Sequence, residues 1–488
     1  MSEEIRNLEP KEIWSNFANL NAVPRPSKKE EQVRAFIIAF AESHGLSYKQ
    51  DAIGNILIDK PATPGMENRR KVILQSHLDM VCQKNADVDF DFETQGIDMY
   101  IDGEWVKARG TTLGADNGIG VATALATLAS TEVPHPPLEA LFTTDEEAGM
   151  TGAHHLQPNF LTGEILMNLD TEDDDELSIG CAGGIDLDLT WQYDEEAPAE
   201  DTRALHIMVS GLSGGHSGMD IILGRGNANK ILTRFLIALN GIDGISISNF
   251  EGGGLRNAIP REAHATMVIP AREFDAVQTL LLGYAQIIKG EFATTDPNFK
   301  LTLTEGDSIP SMVMTQKSYR QFKWAMQGTH DGILRMSPDV PNLVETSNNL
   351  ANVVLANGNL SLCSLQRSDR EGAKVDMANT VAGPWELIGA SIQFSGSYPG
   401  WKLDPNAPML GMMKDLYEEL FNESPRVIAC HAGLECGLLG QHYPEIEMIS
   451  FGPTIRDPHS PDEKVNIASV GKFWHYFQEA LKRIPVKS

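Results

Sequence analysis

The sequence is poor in cysteine and in basic residues, and it has no long apolar run. Its five cysteines are scattered and include no Cys-x-x-Cys pair, which argues against a disulfide framework or a cysteine zinc site. Lys and Arg total 39 against 67 Asp and Glu, so the formal net charge is −28, and nucleic acid or an anionic membrane surface is not an expected partner. Because no stretch of roughly 18 apolar residues occurs, a transmembrane helix is not expected.

The N-terminal segment indicates a cytoplasmic protein. Residues Met1 to Arg6 have neither the basic region nor the apolar region of a signal peptide, and the cysteine pattern fits a reducing compartment.

Further along, Ser27–Glu30 has the form of a capping box and predicts a helix that begins there and runs to about Ser43. With cysteine ligation disfavoured, any metal ion would be held by His and carboxylate side chains.

The order of predicted elements indicates two domains. Short apolar runs alternate with helical stretches in residues 1–186 and again in residues 400–488, which predicts an α/β catalytic domain with a mostly parallel sheet. Residues 187–399 follow a strand–helix–strand–strand–helix order, which predicts an inserted α+β domain with an antiparallel sheet. A similar order recurs between Ser318 and Phe394, so the inserted domain is interpreted as a doubled α+β unit.

Four predicted strands of the α/β domain lead to side chains that can bind a metal ion. These side chains lie at His77–Asp79, Asp145–Glu147, Asp170 and, after a Pro/Gly loop, Asp457–His459. Ligands of open parallel sheets bind outside the carboxyl ends of the strands, so these segments are expected to converge. A fifth candidate, Asp116, lies where an Ala-rich helix begins. The acidic run Glu172–Glu176 is interpreted as a solvated loop.

The residue types at these strand ends suit one kind of metal chemistry. Two His, two Asp and a Glu without a thiol fit zinc, manganese or cobalt. A bridging carboxylate with two further ligands for each ion would make a two-metal hydrolase, and Glu146 beside Glu147 could supply a base beside a ligand. Taken singly, His77 also fits a structural histidine and Asp116 a helix N-cap. The residue types alone therefore leave both interpretations open.

The segments around these residues resemble the signature motifs of the co-catalytic zinc exopeptidases, the family of carboxypeptidase G, aminoacylase and carnosinase. The matching segments are His77–Val81, Gly110–Gly118, Thr144–Gly149 and Asn168–Asp170, in the order and with the spacing of that family. The resemblance covers essentially the whole chain. It implies an α/β catalytic domain with a mostly parallel sheet and an inserted α+β lid and dimerisation domain.

The resemblance also implies a site with two Zn²⁺ ions per subunit, for which Co²⁺ or Mn²⁺ could substitute. It assigns His77 and Asp170 to one ion, Glu147 and His459 to the other, and Asp116 to both as a bridge. Glu146 would be the general acid/base, and Asp79 would orient His77. Relatives usually have a cis peptide bond after the bridging aspartate, and many have a second acidic residue where this chain has Asn117.

The resemblance assigns four further residues to the substrate, namely His216, Asn257, Arg367 and Gly433. His216 lies between glycines and would stabilise the oxyanion of the tetrahedral intermediate, in its own site or in that of a partner subunit. Asn257 matches a substrate-binding asparagine, while Arg367 and Gly433 match positions that grip the substrate carboxylate. A flexible turn with an exposed His and a solvated strand Arg are the structural alternatives for His216 and Arg367.

Together these features predict a cytoplasmic metallo-dipeptidase that forms a homodimer through the lid domain. The expected reaction is hydrolysis of small dipeptides, Xaa-His types such as β-alanyl-histidine included, by a water that two zinc ions activate. An N-acyl amino acid deacylase or another amide hydrolase of the same family is the alternative, since one metal centre would serve both. The alternative that is not an enzyme is a non-catalytic protein that binds peptides or other subunits.

Overall fold

The computed structural model describes residues 3–85, 87–338, 340–431 and 433–487. The chain divides into two units, each packed around an apolar core of its own. Unit 1 comprises Met1–Gly180, Trp401–Ala429 and Leu434–Ser488, and unit 2 comprises Cys181–Gly400 and Cys430–Gly433. Within the described ranges, no helix combines the length and apolar composition that crossing a membrane requires.

The helices and strands of the described residues follow one another along both units. The α-helices are α1 (Glu3–Arg6), α2 (Lys11–Leu20), α3 (Glu31–Ser43), α4 (Ala115–Ala129), α5 (Glu146–Gly149), α6 (Thr151–His155), α7 (Ala228–Ala238), α8 (Phe274–Glu291), α9 (Gln316–Gly328), α10 (Glu371–Glu386), α11 (Pro408–Phe421), α12 (Glu435–His442) and α13 (Ile467–Arg483). The strands are β1 (Ser47–Gln50), β2 (Ile56–Lys60), β3 (Val72–His77), β4 (Met99–Asp102), β5 (Trp105–Ala108), β6 (Leu138–Thr143), β7 (Ile165–Asn168), β8 (Glu176–Cys181), β9 (Gly183–Gln192), β10 (Glu195–Glu196), β11 (Thr202–Ser210), β12 (Ser246–Gly253), β13 (Ala263–Pro270), β14 (Lys300–Glu305), β15 (Val313–Met314), β16 (Gly332–Met336), β17 (Val344–Ala356), β18 (Asn359–Ser368), β19 (Ser391–Tyr398), β20 (Arg426–Cys430), β21 (Glu447–Ser450), β22 (Ile455–Arg456) and β23 (Lys464–Asn466).

The main sheet of unit 1 has a parallel centre and antiparallel flanks. Its strands lie in the order β1-β2-β6-β3-β7-β21-β8-β20. Neighbours among β6, β3, β7 and β21 are parallel, whereas β1–β2, β2–β6 and β21–β8 are antiparallel pairs. Every residue of β3 and β6 is buried, as expected for parallel strands covered on both faces. The carboxyl ends of the central strands therefore lie side by side at one edge.

Helix α4 packs closely against this sheet because small residues make up most of its sequence. Nearly all of its residues are buried, and it lies against β3 on one side and α2 on the other. Gly114 precedes it with φ +70°, and a Cβ atom there would meet the guanidinium of Arg25 and the side chain of Met80. Glycine is thus required at the point where the chain turns into the helix and presents Asp116.

Unit 2 is built on an antiparallel sheet of strand order β14-β11-β13-β12-β17-β18-β9-β19, with β16 paired to β17. The elements β11, α7, β12, β13, α8 and β14 occur in the same order as β9, α9, β17, β18, α10 and β19. The two half-sheets have mirrored strand orders and join through the antiparallel β12–β17 pair. This arrangement supports the interpretation of residues 187–399 as an inserted domain made of a doubled α+β unit. The doubling and the domain boundaries stay predictions.

One short segment lies outside the predicted boundaries of that inserted domain. Cys430–Gly433 belongs to unit 2, although the predicted boundaries assign residues 400–488 to the catalytic domain. The segment is held there by polar contacts: the Ala182 N–H donates to the Cys430 carbonyl oxygen at 2.9 Å, and His431 Nε2 lies 2.8 Å from Ser347 Oγ. Such contacts between distant residues have no signature in the local sequence.

Trp385 on α10 offers a test of the core of unit 2. Its side chain is fully buried, and its indole N–H donates to Thr329 Oγ1 at 2.8 Å. We expect Trp385→Ala to lower the free energy of unfolding by about 3–5 kcal/mol in urea titrations, because it leaves a large cavity. Leu387→Ala, at a position 88% exposed, is the control and should change stability by less than about 0.5 kcal/mol. Equal effects of the two substitutions would contradict this description of the core.

Candidate metal centre

The predicted metal-binding residues of unit 1 all come from the edge where the central strands end. His77 is the last residue of β3, Asp116 is the second residue of α4, Glu146 and Glu147 begin α5, Asp170 follows β7, and His459 lies between β22 and β23. The ends of β6, β3 and β7 are adjacent in the sheet, so the three segments that carry Glu146–Glu147, His77 and Asp170 meet without any special folding of the chain.

Asp116 lies between the two histidines, with one carboxylate oxygen facing each. His77 Nε2 is 3.1 Å from Asp116 Oδ1, and His459 Nε2 is 3.2 Å from Asp116 Oδ2. His77 Nε2 is also 3.5 Å from Asp170 Oδ1, while His459 Nε2 is 3.0 Å from Glu147 Oε2. The structure thus brings all five predicted ligands together as two groups that share Asp116, each with its donor atoms within 4.8 Å of one another.

Glu146 lies at the same cluster without belonging to either of these two groups. It forms a further group with His77 and Glu147, again with donor atoms within 4.8 Å. Burial raises the pKa of Glu146 well above its usual value; the nearby His77 opposes that shift, and the charge of Glu147 adds to it. A carboxyl group with a raised pKa beside the ligands has the properties of a general acid/base.

Asp79 does more than the sequence prediction assigns to it. His77 Nδ1 lies 3.2 Å from the Asp79 carbonyl oxygen and 3.5 Å from its carboxylate Oδ1, so this side of the ring faces Asp79 and Nε2 faces the cluster. The Asp79 carboxylate also accepts hydrogen bonds from the N–H groups of Glu146 at 3.0 Å and Glu147 at 3.1 Å, and from Ser27 Oγ at 2.8 Å. One buried carboxylate therefore fixes both the histidine and the glutamate pair.

The electrostatics of the cluster favour added positive charge. Burial acts to lower the pKa of His77, but the charge of Asp170 and hydrogen bonds to Asp116 and Asp170 raise that pKa well above its usual value. Desolvation likewise opposes protonation of His459, whose hydrogen bonds to Asp116 and Glu147 raise its pKa to about 11. Burial would raise the pKa of Asp116, yet its bonds with both histidines hold it far below the usual range. The carboxylates thus draw protons onto both imidazoles, as a cation-attracting site does.

The donor atoms of the cluster are suited to a metal ion. Glu147 Oε1 is buried and has no hydrogen-bond partner among the described residues, so the cluster contains an acceptor that the protein itself does not satisfy. The donor set is nitrogen and oxygen only, which suits zinc, cobalt or manganese. The residues present therefore fit divalent metal ions.

The backbone takes uncommon conformations at several of these residues. His459 has φ +60° and Asp145, next to the glutamate pair, has φ +53°, in the left-handed region that non-glycine residues seldom adopt. The Asp116–Asn117 peptide bond is cis, which confirms the expectation from the resemblance. Left-handed backbone in residues other than glycine persists where the surroundings enforce it, and it often marks functional sites.

Two residues beside the cluster have roles that the sequence prediction did not assign to them. Asn117 donates hydrogen bonds from Nδ2 to the Leu169 carbonyl oxygen at 2.9 Å and to Asp170 Oδ1, so the amide holds a predicted ligand in place. Burial raises the pKa of Glu172 well above its usual value, and the charges of Asp116 and Asp170 add to the shift. Glu172 therefore lies beside the cluster, and its acidic run is not a simple solvated loop.

The rest of that run is also structured. Asp173, Asp175 and Glu176 form ion pairs with Arg426, and Asp173 also pairs with Arg456. The local sequence shows only the acidic partners, because the arginines follow about 250 residues later. The carboxylates of this loop are therefore partly exposed and ion-paired, and none of them belongs to the ligand groups.

The predicted substrate-binding residues His216 and Asn257 lie in unit 2. His216 Nδ1 accepts hydrogen bonds from the N–H groups of Gly218 at 3.2 Å and Met219 at 3.1 Å, which places the proton of the neutral ring on Nε2. Asn257 is exposed, and its carbonyl oxygen accepts from the Ser217 N–H at 2.8 Å. The glycine-rich segment of His216 is therefore tied to the loop that carries Asn257.

Arg367 is buried rather than solvated, so its structural alternative as an exposed strand arginine is wrong. It is 5% exposed on β18, its Nη1 donates to Tyr398 Oη at 2.7 Å, and its Nε has no hydrogen-bond partner among the described residues. Burial lowers the pKa of His431 to about 3, and the charges of Arg367 and His216 add to that shift. Gly433 follows His431 closely and is half-buried. The buried Arg367 guanidinium, whose Nε has no hydrogen-bond partner among the described residues, can pair with a carboxylate.

Comparison with known proteins identifies the family. Residues 73–483 match the profile of Peptidase family M20/M25/M40. The chain belongs to this family. It is 45% identical over 486 residues to the cytosol non-specific dipeptidase of Escherichia coli (strain K12), a match that covers 99% of this chain and 100% of that relative. The family predicted from the motifs is thus confirmed.

Solved structures of other peptidases show the same fold. The aminoacylhistidine dipeptidase from Vibrio alginolyticus superposes with a TM-score of 0.89 at 43% identity, covering 100% of this chain and 99% of that one. A tripeptidase from Staphylococcus aureus subsp. aureus Mu50 has a TM-score of 0.56 at 14% identity, covering 98% and 99% of the two chains, and shows similarity of fold alone. The predicted fold class is thereby confirmed, with the parallel strands confined to the centre of the sheet of unit 1.

The Asn117→Ala variant tests whether the Asn117 amide holds Asp170 in the metal-binding cluster. Asn117→Ala removes the donor to Asp170 and Leu169, and we expect zinc affinity to fall about 10-fold, since outer partners of metal ligands tune affinity by that order. Stability should fall by about 1–3 kcal/mol. Asn229→Ala is the control: this buried residue of unit 2 donates to the Leu350 carbonyl oxygen at 3.2 Å. It should lower stability similarly while zinc affinity, measured by competition with a chromophoric chelator, stays unchanged. An equal loss of affinity in both variants would refute the assignment.

Proposed function

We propose that this chain is a metal-dependent dipeptidase that hydrolyses dipeptides, including Xaa-His types such as β-alanyl-histidine. The observation that carries the proposal is the Asp116 carboxylate, whose two oxygens each face a different imidazole within a cluster of buried acids. Two full-length relatives, at 45% and 43% identity, are named as dipeptidases. The cluster supplies the chemistry, and the relatives indicate the substrate class.

Two zinc ions per subunit are the proposed cofactor, with cobalt or manganese as substitutes. His77 and Asp170 would hold one ion, Glu147 and His459 the other, and Asp116 both. When bound, such ions supply positive charge that polarises the scissile carbonyl group and lowers the pKa of water. Asp79 keeps Nδ1 of His77 occupied, so that Nε2 is the nitrogen presented to the metal.

Glu146 is proposed as the group that moves protons. Its carboxylate would take a proton from the attacking water and deliver it to the nitrogen of the leaving amine, which balances the hydrolysis. The raised pKa of Glu146 suits both halves of this transfer. Its backbone N–H donates to Asp79, which fixes its position relative to His77.

Residues of unit 2 are proposed to bind the substrate. The N–H on Nε2 of His216 would donate a hydrogen bond to the oxyanion that develops on the scissile carbonyl. Arg367, held by Tyr398, would pair with the free carboxylate of the dipeptide and so exclude long peptides. Asn257 and the backbone at Gly433 would complete the contacts.

We further propose that the protein is a cytoplasmic homodimer joined through the lid domain. Support for the location comes from the Escherichia coli relative, which is named a cytosol non-specific dipeptidase, and from the scattered cysteines, none of which forms a disulfide in the described part of the chain. The dimer proposal rests on the glycine-flanked His216: if this residue acts in the site of the partner subunit, as the family resemblance allows, a homodimer is required.

Glu146→Gln tests the proposed mechanism. The amide cannot accept or deliver a proton, so kcat for β-alanyl-histidine should fall by about 10²–10⁴ or more, while both metal ions remain bound. Glu147→Gln, one residue away, is the matched variant and should lower metal content as well as activity. Rates come from release of histidine, and metal content from mass spectrometry of the purified protein.

Two outcomes would count against the dipeptidase proposal. Near-normal turnover by Glu146→Gln would remove this residue from the proton transfer, and activity that survives exhaustive chelation would exclude a metal-dependent reaction. As a control, chelated wild-type protein should regain activity when zinc is restored. Faster hydrolysis of N-acetyl amino acids than of dipeptides would instead indicate a deacylase.

Mixed dimers test whether His216 acts in the partner's site. If it does, a heterodimer of His216→Ala and Glu146→Ala subunits contains one complete site, made of Glu146 from one chain and His216 from the other. We therefore expect the mixture, after co-expression, to recover activity that neither homodimer has. No recovery, with heterodimers present by mass spectrometry, would mean that His216 acts within its own subunit.

A further inference from the structure

We propose that Glu463 is a positioning residue of the metal centre, which it serves by fixing the backbone that carries Asp116. The inference rests on the proposed function, because it assumes that the cluster binds metal. Glu463 is four residues past His459 and does not belong to the ligand groups described above. It is only 2% exposed.

The Glu463 carboxylate accepts hydrogen bonds from four consecutive backbone N–H groups. Oε2 accepts from Leu113 at 2.7 Å and Gly114 at 2.9 Å, and Oε1 accepts from Ala115 at 2.8 Å and Asp116 at 3.3 Å. Four hydrogen bonds from consecutive residues to one buried side chain leave the segment little freedom to rotate. The peptide unit from which the Asp116 side chain extends is therefore fixed by this one carboxylate.

Arg25 holds the same segment from its carbonyl side. Its Nη2 donates to the Gly114 carbonyl oxygen, and its Nη1 donates to the carbonyl oxygens of Leu78 and Asp79, each at 3.1 Å. Arg25 is 2% exposed, so the guanidinium is a buried charge among main-chain oxygens. It connects the segment of Asp116 to the segment that follows His77.

Glu463 and Arg25 together join the three segments that carry His77, Asp116 and His459. Asp116 can bridge two ions only if its oxygens face both histidines at once, which requires the three segments to keep a fixed relation. Buried ionisable side chains add little to the stability of a protein by themselves, because removing an ion from water costs several kcal/mol. Their placement here is better explained by the geometry that they impose on the ligands.

The chain contains a matched carboxylate away from the cluster. Glu139, 1% exposed at the start of β6, accepts from the Gly163 N–H at 2.9 Å and the Thr162 N–H at 3.0 Å, and it pairs with Lys71 Nζ at 2.8 Å. It thus resembles Glu463 in burial and in its use of backbone donors. It lies at the opposite end of the strand from the cluster, about 13 Å away by strand rise.

The test compares Glu463→Gln with Glu139→Gln in the full-length protein. In each variant one acceptor oxygen becomes an NH₂ group that faces backbone donors, so the melting temperature of the metal-free protein should fall in both. Zinc affinity, measured by chelator competition, should fall about 10- to 100-fold in Glu463→Gln alone. The visible absorption spectrum of the cobalt-loaded protein should also change in Glu463→Gln alone, because the ligand geometry at Asp116 changes.

The outcomes separate positioning from simple stabilisation. Zinc affinity of Glu463→Gln within about threefold of wild type, or an equal loss in Glu139→Gln, would overturn the inference. If Glu463→Gln does not fold, Glu463→Asp takes its place under the same criteria, since it keeps the charge but is too short to reach all four donors. Wild-type protein that binds no zinc would instead refute the proposed function, and the inference with it.

Discussion

The site depends on one shared carboxylate. Asp116 faces an imidazole with each of its oxygens, and the other acids of the cluster are arranged around that pair. Concentrating so many acids in a buried place is unfavourable unless positive charge compensates them. These acids accordingly raise the pKa of both histidines well above its usual value. The surrounding architecture, from the glycine turn before α4 to the buried Arg25, serves to keep that carboxylate in place.

Much of this could be predicted from the sequence because two general rules apply to it. Parallel strands bring their carboxyl ends to one edge, so His77, Asp170 and Glu147 could be grouped although they lie far apart along the chain. The residue types then limited the chemistry to nitrogen and oxygen ligands. The same rules could not find Glu463 or Arg25, since their partners are backbone groups, which have no residue signature, and Glu463 lies about 350 residues from the segment it holds.

The helix-capping prediction was wrong because residues distant in the sequence bind the same side chains. Ser27–Glu30 has the form of a capping box, but α3 begins at Glu31 without a side-chain cap. Ser27 donates to Asp79 instead, and Glu30 accepts from the N–H groups of Lys28 and Asp145. The need to hold Asp79 and the glutamate turn outweighs the roughly 1 kcal/mol that a helix cap contributes.

The place of β21 in the sheet has a consequence for how the chain is made. This strand lies between β7 and β8, yet it follows β8 by more than 260 residues, with all of β9 to β19 synthesised in between. The ribosome therefore releases β7 and β8 long before the strand that joins them exists. All strands of the unit 2 sheet are synthesised during this interval, so that sheet can form first. The contact between Asp116 and His459 can form only later, when the last tenth of the polypeptide emerges.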